Sequence, residues 1–280
     1  MKTGLIIQGP LLSRGRTGKT VGIPLKQVTE QDVVDFNCVD TITRMVNECE
    51  SRYDAIVVAT WKTEDPALIE ALAQRIGHER ILLLEDNTKA IAPRTALVGG
   101  NNKYRQFYSM LKGLEALEAQ GCELAVKVRT DQYGDYVALA DQLEAAVKQG
   151  PEKVMIPWLD VRKPMHLVDF YFGGTTAHLK ALCKRYFAKP EAYELVHLDL
   201  FYHWTWDIPT WALPFYKLLI GKRMNPLNSA VIRTGWDNAF WLSSRQVAQS
   251  LVWRGEPFDL PNPERLRFAE DGDKLKQLGV

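Results

Sequence analysis

Five short apolar runs, LII at 5–7, AIVVA at 55–59, ILLL at 81–84, AVKV at 125–128 and VMI at 154–156, are separated by stretches of helical spacing near 35–52, 65–76, 102–119 and 137–149. Strands that alternate with helices predict an α/β fold, a mostly parallel sheet flanked by helices. In such a sheet ligands bind in the crevice at the carboxyl ends of the strands. The residues that follow each run are therefore the ones to inspect.

They read Gln8-Gly9-Pro10, Thr60-Trp61, Glu85-Asp86-Asn87 and Arg129-Thr130-Asp131. An edge carrying amide, hydroxyl, carboxylate, guanidinium and an aromatic ring suits a sugar nucleotide better than a bare triphosphate. The helix expected after residue 100 adds to it. Phe107, Met110, Leu111, Leu114 and Leu117 recur at helical spacing and should face the sheet. Asn102, Arg105, Gln106 and Ser109 fall at i, i+3, i+4 and i+7 and form one polar stripe at the helix start, pointing to the same edge. The alternative for such a stripe is a solvated face.

One rival comes from the N-terminus. GLIIQGPLLSRGRTGKT at 4–20 ends in Gly18-Lys19-Thr20, as a P-loop does. Ser13 stands where the first glycine of that motif belongs, and Gly22 and Pro24 fall where its helix should open. A P-loop kinase or NTPase is thus the alternative enzyme class.

The chain has 280 residues, 46% hydrophobic and 25% charged, enough to bury a large core. A formal net charge of +1 gives no basic footprint, so nucleic acid is not expected as a partner. Cys38, Cys49, Cys122 and Cys183 form no CxxC pair and read as reduced, buried thiols of a cytoplasmic protein. The apolar run near the N-terminus is too short for a signal peptide, and no apolar stretch is long enough to span a membrane.

Two segments carry a family resemblance. NNKYRQFYSMLKGL at 101–114, followed by LAVKVRTD at 124–131, resembles the signature of the WavE lipopolysaccharide-synthesis family of bacterial glycosyltransferases. GLIIQGP at 4–10 and DAIVVATW at 54–61 look like that family's first two strands, with Ala59 in place of a serine. The likeness covers roughly residues 4–175. It implies a GT-A-like, Rossmann-like fold and transfer of a sugar from a nucleotide-sugar donor to a lipopolysaccharide or capsule glycan or glycolipid. Gln8, Gly9, Pro10, Thr60, Trp61, Asn102, Arg105 and Arg129 would bind the donor. GT-A enzymes commonly end the strand before the active site in Asp-x-Asp, which holds a divalent cation. Here that place reads Arg129-Thr130-Asp131. Asp131 is then the residue left to bind Mn²⁺ or Mg²⁺, or Arg129 neutralises the diphosphate without a metal. In the same reading residues 13–20 form a mobile basic loop whose Arg14, Arg16 and Lys19 close over the diphosphate. The departure from Asp-x-Asp also admits a catalytically inactive nucleotide- or glycan-binding module.

The likeness extends to HLVDFYFGGTTAHL at 166–179, where Asp169 is the candidate base on the acceptor side. His166 reads as a supporting residue, Asp237, just before an apolar turn at 239–242, as a further acid or metal-site residue, and His203 as a late metal ligand. The stretch FYHWTWDIPTWALPFYKLLIGKR at 201–223 is rich in aromatic and basic residues. Core packing, an acceptor platform and a peripheral membrane contact all fit it. Residues 1–160 are expected to form the nucleotide-sugar half, and residues 161–280 the acceptor side with an aromatic-rich helical C-terminal part. Both belong to the same compact domain, at the inner face of the cytoplasmic membrane.

Overall fold

The structure is a computed structural model that describes residues 1–20, 27–86, 101–150, 152–188, 196–206, 210–212, 215 and 226–272. The first half runs β1 (Thr3–Gln8), β2 (Leu12–Arg16), β3 (Val33–Asn37), α1 (Val39–Cys49), β4 (Ala55–Trp61), α2 (Pro66–Ile76), β5 (Ile81–Leu84), α3 (Asn101–Ala119), β6 (Leu124–Arg129), β7 (Gln132–Tyr133) and α4 (Tyr136–Gln149). The second runs β8 (Val154–Ile156), β9 (Leu159–Asp160), β10 (Phe172–Thr175), α5 (Thr176–Ala188), α6 (Val196–Thr205), α7 (Pro226–Ala239), β11 (Phe240–Leu242), α8 (Arg245–Gln249), β12 (Val252–Trp253), β13 (Glu256–Pro257) and β14 (Leu266–Arg267).

A seven-stranded sheet in the order β11-β8-β10-β6-β1-β4-β5 forms the centre. β10 runs antiparallel to both of its neighbours, and the remaining pairs are parallel. The α/β expectation holds, and each of the five apolar runs is a strand. Covering both faces of a parallel sheet requires strands that are apolar throughout. β1 shows how. Leu5 and Ile7 join Ile42 and Met45 of α1, Leu72 of α2 and Leu139 and Leu143 of α4 in one core. Ile6 points the other way, onto Phe107, Met110 and Leu114 of α3 and the aromatic group Phe201, Trp204 and Trp236. Two cores thus sandwich the sheet, and each fully buried side chain of this size contributes about 1.5–3 kcal/mol.

Three local expectations change. The first half of the expected mobile loop at 13–20 is strand: β2 pairs antiparallel with β3 in register from Leu12 with Asn37 to Arg16 with Val33. The helix expected near 35–52 begins only at Val39, because Asp35, Phe36 and Asn37 pair with β2. The segment 239–242, expected as a turn, supplies β11. At 201–204, Phe201, Tyr202 and Trp204 are buried, so this part of the aromatic stretch is core; Trp211 and Phe215 are exposed. No helix among the described residues is long and apolar enough to cross a membrane. All four cysteines are free and buried.

Candidate functional site

A cavity of about 470 Å³ opens at the carboxyl ends of β1, β4 and β6, beside the start of α3. Of the residues expected to bind a donor, Gln8, Gly9, Pro10, Trp61, Arg105 and Arg129 line it, together with Asp131 and Asp169. Gln106 and Ser109 line it too, so the polar stripe of α3 faces the site. Thr60 does not: it is fully buried on the strand and absent from the lining. The side chain of Asn102 lies outside the described residues.

The floor is tied by main-chain geometry. Thr130 N donates to Gln8 O at 3.1 Å, Gly9 N to Ala59 O at 3.2 Å and Thr130 Oγ1 to Pro10 O at 2.8 Å. Gly9 has φ +140°, and a Cβ built there would stand 2.5 Å from Thr130 Oγ1. The close approach of the β1 and β6 ends therefore requires glycine. Gln8 Nε2 donates to Gln106 O at 3.1 Å, joining strand and helix, while Gln8 Oε1 has no hydrogen-bond partner among the described residues. Arg105 pairs with Asp86, past the end of β5, and lies over the Trp61 ring at 5.7 Å.

Charge gathers where β6 ends. Arg129 Nε donates to Asp131 Oδ1 at 3.0 Å and its Nη2 to Asp131 Oδ2 at 3.2 Å, a bidentate pair. Asp131 Oδ2 also accepts from Ser13 Oγ at 3.0 Å and Trp253 Nε1 at 3.1 Å, and meets Arg254 Nη2 at 2.9 Å. Burial alone would raise the Asp131 pKa; Arg129 and Arg254 outweigh it and hold the carboxyl far below the usual range. Asp169 behaves alike. Burial opposes its ionisation, but Arg129, whose Nη1 lies 3.6 Å from Asp169 Oδ2, and then His197 and Lys127 bring its pKa below the ordinary value.

The segment bearing Asp169 is pinned from two sides. Lys127 Nζ, fully buried on β6, donates to Asp169 O at 2.8 Å. His197 Nδ1 lies 2.6 Å from Leu167 O, and its ring stacks on His166 with centroids 4.1 Å apart. Burial pushes the His166 pKa down to about 4, so this imidazole is neutral at physiological pH.

The donor set at Asp131 does not fit a divalent cation. Both oxygens are engaged by guanidinium, hydroxyl or indole donors, and Mg²⁺ or Mn²⁺ calls for several oxygen ligands. Among the described residues no group of three or more His, Cys, Asp or Glu could hold a metal ion. His203 is fully buried and Asp237 exposed, and neither lines the cavity. Nor does Lys19, which pairs with Glu256 on the turn after β2. The residues 18–20 follow a strand of a hairpin, whereas a P-loop follows a strand of the parallel sheet, so the P-loop expectation fails on topology. Arg14 is the one member of the expected basic lid among the lining residues.

Sequence reasoning missed Arg254, Ser13 and Trp253. Arg254 and Gly255 have φ +48° and +80° and form the two-residue turn between β12 and β13. That is the backbone of a hairpin turn with positive φ at both central residues. The dipeptide Arg-Gly between Val-Trp and Glu-Pro was a legible turn signal; the bond from Trp253 to Asp131 across 122 residues was not.

No family model matches the chain, and no curated protein matches it. Among solved structures it is similar to 4-diphosphocytidyl-2C-methyl-D-erythritol synthase from Anaerococcus prevotii, at 14% identity and a TM-score of 0.43, over 79% of this chain and 96% of that one. It is also similar to mannose-1-phosphate geranyltransferase from Thermus thermophilus, at 15% identity and a TM-score of 0.31, over 71% of this chain and 67% of that one. Likeness at this level says nothing about activity.

Proposed function

We propose that the chain is a GT-A-like glycosyltransferase that takes a sugar from a nucleotide-sugar donor and passes it to a glycan or glycolipid acceptor of lipopolysaccharide or capsule type. The observation that carries this reading is the lining of the strand-end cavity, where two amides, an indole, four guanidinium groups and three carboxylates converge. Gln8, with the backbone of Gly9 and Pro10, would meet the nucleoside. Trp61 offers a ring face, and Arg105 and Arg129 offer charge-assisted donors to phosphate. Asp169, kept ionised by Arg129, would take the proton of the acceptor hydroxyl. A base with a lowered pKa is weak, but it is deprotonated throughout the neutral range.

The reading puts the enzyme in the cytoplasm, at the inner membrane face where a glycolipid acceptor would be presented. The exposed rings of Trp211 and Phe215 support such a contact. Turnover of nucleotide sugars, followed as release of nucleoside diphosphate, is the test. Wild type should hydrolyse one of them slowly without an acceptor, and Asp169→Asn should lower transfer by about 10²–10⁴-fold with nucleotide affinity kept. A wild type that turns over none of them is the inactive binding module instead.

A further inference from the structure

The place where a metal-bearing motif was expected is built as a guanidinium site. Three separate pieces of chain converge on Asp131: Ser13 of β2, Arg129 at the end of β6, and Trp253 with Arg254 at the β12–β13 turn. Asp131 has 3% of its side chain exposed and Arg254 7%, so this is a dry ion pair with each charge answered. Arg254 reaches it from a left-handed backbone, φ +48°, which a side chain as large as arginine rarely adopts. Room for its guanidinium is left by Gly15, where a Cβ would come 2.7 Å from Arg254 Nη1. Arg254 Nε and Nη2 both donate to Ser13 Oγ, at 3.1 and 3.0 Å. Its donors are thus spent on holding the carboxylate and its neighbours.

Arg129 differs. It is the more exposed guanidinium, 28% of the side chain, and two of its nitrogens bond Asp131. Its Nη1 lies 3.6 Å from Asp169 Oδ2, an ion pair longer than a hydrogen bond, and the residue lines the cavity. A fork fixed on one edge by two hydrogen bonds, with only the longer ion pair to Asp169 on the other, suits a planar or tetrahedral oxyanion entering from the cavity.

We propose that Arg129, oriented by Asp131 and backed by Arg254, binds the diphosphate of a nucleoside diphosphate ligand without a divalent cation. Asp131 and Arg254 are positioning residues. The proposal rests on the donor-sugar reading above and deepens it. When the bond from the anomeric carbon to the phosphate oxygen breaks, its electron pair goes to that oxygen, and Arg129 meets the charge that develops there. The acceptor oxygen forms the new bond to the anomeric carbon, and its proton goes to Asp169. A fixed cation aimed at a leaving group lowers the barrier with no reorganisation.

Calorimetric titration of the full chain with pyrophosphate and with UDP, GDP and CDP, in EDTA and again in Mn²⁺, tests this. Binding of pyrophosphate and of one nucleotide in EDTA is expected, and Arg129→Lys should weaken both about tenfold or more by losing the fork. Arg129→Gln should weaken them further. Denaturation curves identify variants that fail to fold, and the wild-type comparison decides without them. Binding that appears only with Mn²⁺ overturns the guanidinium site and leaves the transferase reading standing. Pyrophosphate binding in EDTA with no gain from any nucleoside keeps the anion site and sinks the nucleotide-donor reading. No binding in either condition overturns both.

Discussion

Burying the Lys127 ammonium costs the fold desolvation energy. The residue sits in the middle of β6 with no exposure, its Nζ bonded to Asp169 O and lying 4.8 Å from the Phe172 ring centroid. Burial, reinforced by Arg129 and opposed by Asp169, pushes its pKa down to about 7 from an ordinary lysine value. Between about pH 7 and the unfolded lysine value near 10.4 the unfolded chain holds a proton that the folded chain has lost, so stability should rise with pH across that window. Urea midpoints at pH 7 and pH 9 check this: the rise should shrink in Lys127→Met, and equal slopes in both proteins would contradict it. Asp131 has the same sign in a lower window, because its pKa too is lowered on folding. Its lowered pKa contributes stability at neutral pH that is lost only in strong acid. Asp131→Asn leaves Arg129 and Arg254 facing each other with little compensation and should cost about 3–5 kcal/mol, read as a lower denaturant midpoint. Gly9→Ala should cost about 1–3 kcal/mol through its backbone conformation and its clash with Thr130 Oγ1. Gln8, Gly9, Pro10, Trp61, Arg129, Thr130 and Asp131 were legible because they stand where an apolar run ends. Arg254 was not, since its role depends on a contact made across most of the chain.

Elements separate into those with a periodic signal and those without. α3 was readable on both faces: Phe107, Met110 and Leu114 at helical spacing face the core, and Arg105 and Gln106 line the cavity. The Arg105 pair with Asp86 is partly exposed and worth about 0–1 kcal/mol. Arg105→Ala should therefore leave melting nearly unchanged while weakening nucleotide binding; early melting at unchanged affinity would make the pair structural only. The β2–β3 hairpin was illegible because LSRGR has no apolar alternation and VVDFN precedes a helix without a break in charge pattern. Lys19 sits beyond that hairpin's strand on an exposed pair with Glu256, so Lys19→Ala should change neither melting nor nucleotide affinity by a measurable amount. β10, FGGT, hid behind two glycines whose strand role is fixed by packing between β6 and β8.

At the scale of the molecule, apolar strands and amphipathic helices were enough to announce a parallel sheet with a crevice at one edge. They could not announce the antiparallel β10, which brings the Asp169 segment beside β6, nor the return of the C-terminal hairpin to the floor of the cavity. Both depend on long-range pairing that leaves no local trace. The central claim is that this cavity is a nucleoside diphosphate site. A thermal-shift series with UDP, GDP, CDP and ATP on wild type and Arg129→Gln tests it most directly, since a ligand at 100 times its dissociation constant stabilises the fold by about 2.7 kcal/mol. One of the first three should raise the melting temperature of wild type by several degrees and that of Arg129→Gln far less. A shift with ATP alone that survives in Arg129→Gln and disappears in Lys19→Ala would contradict it.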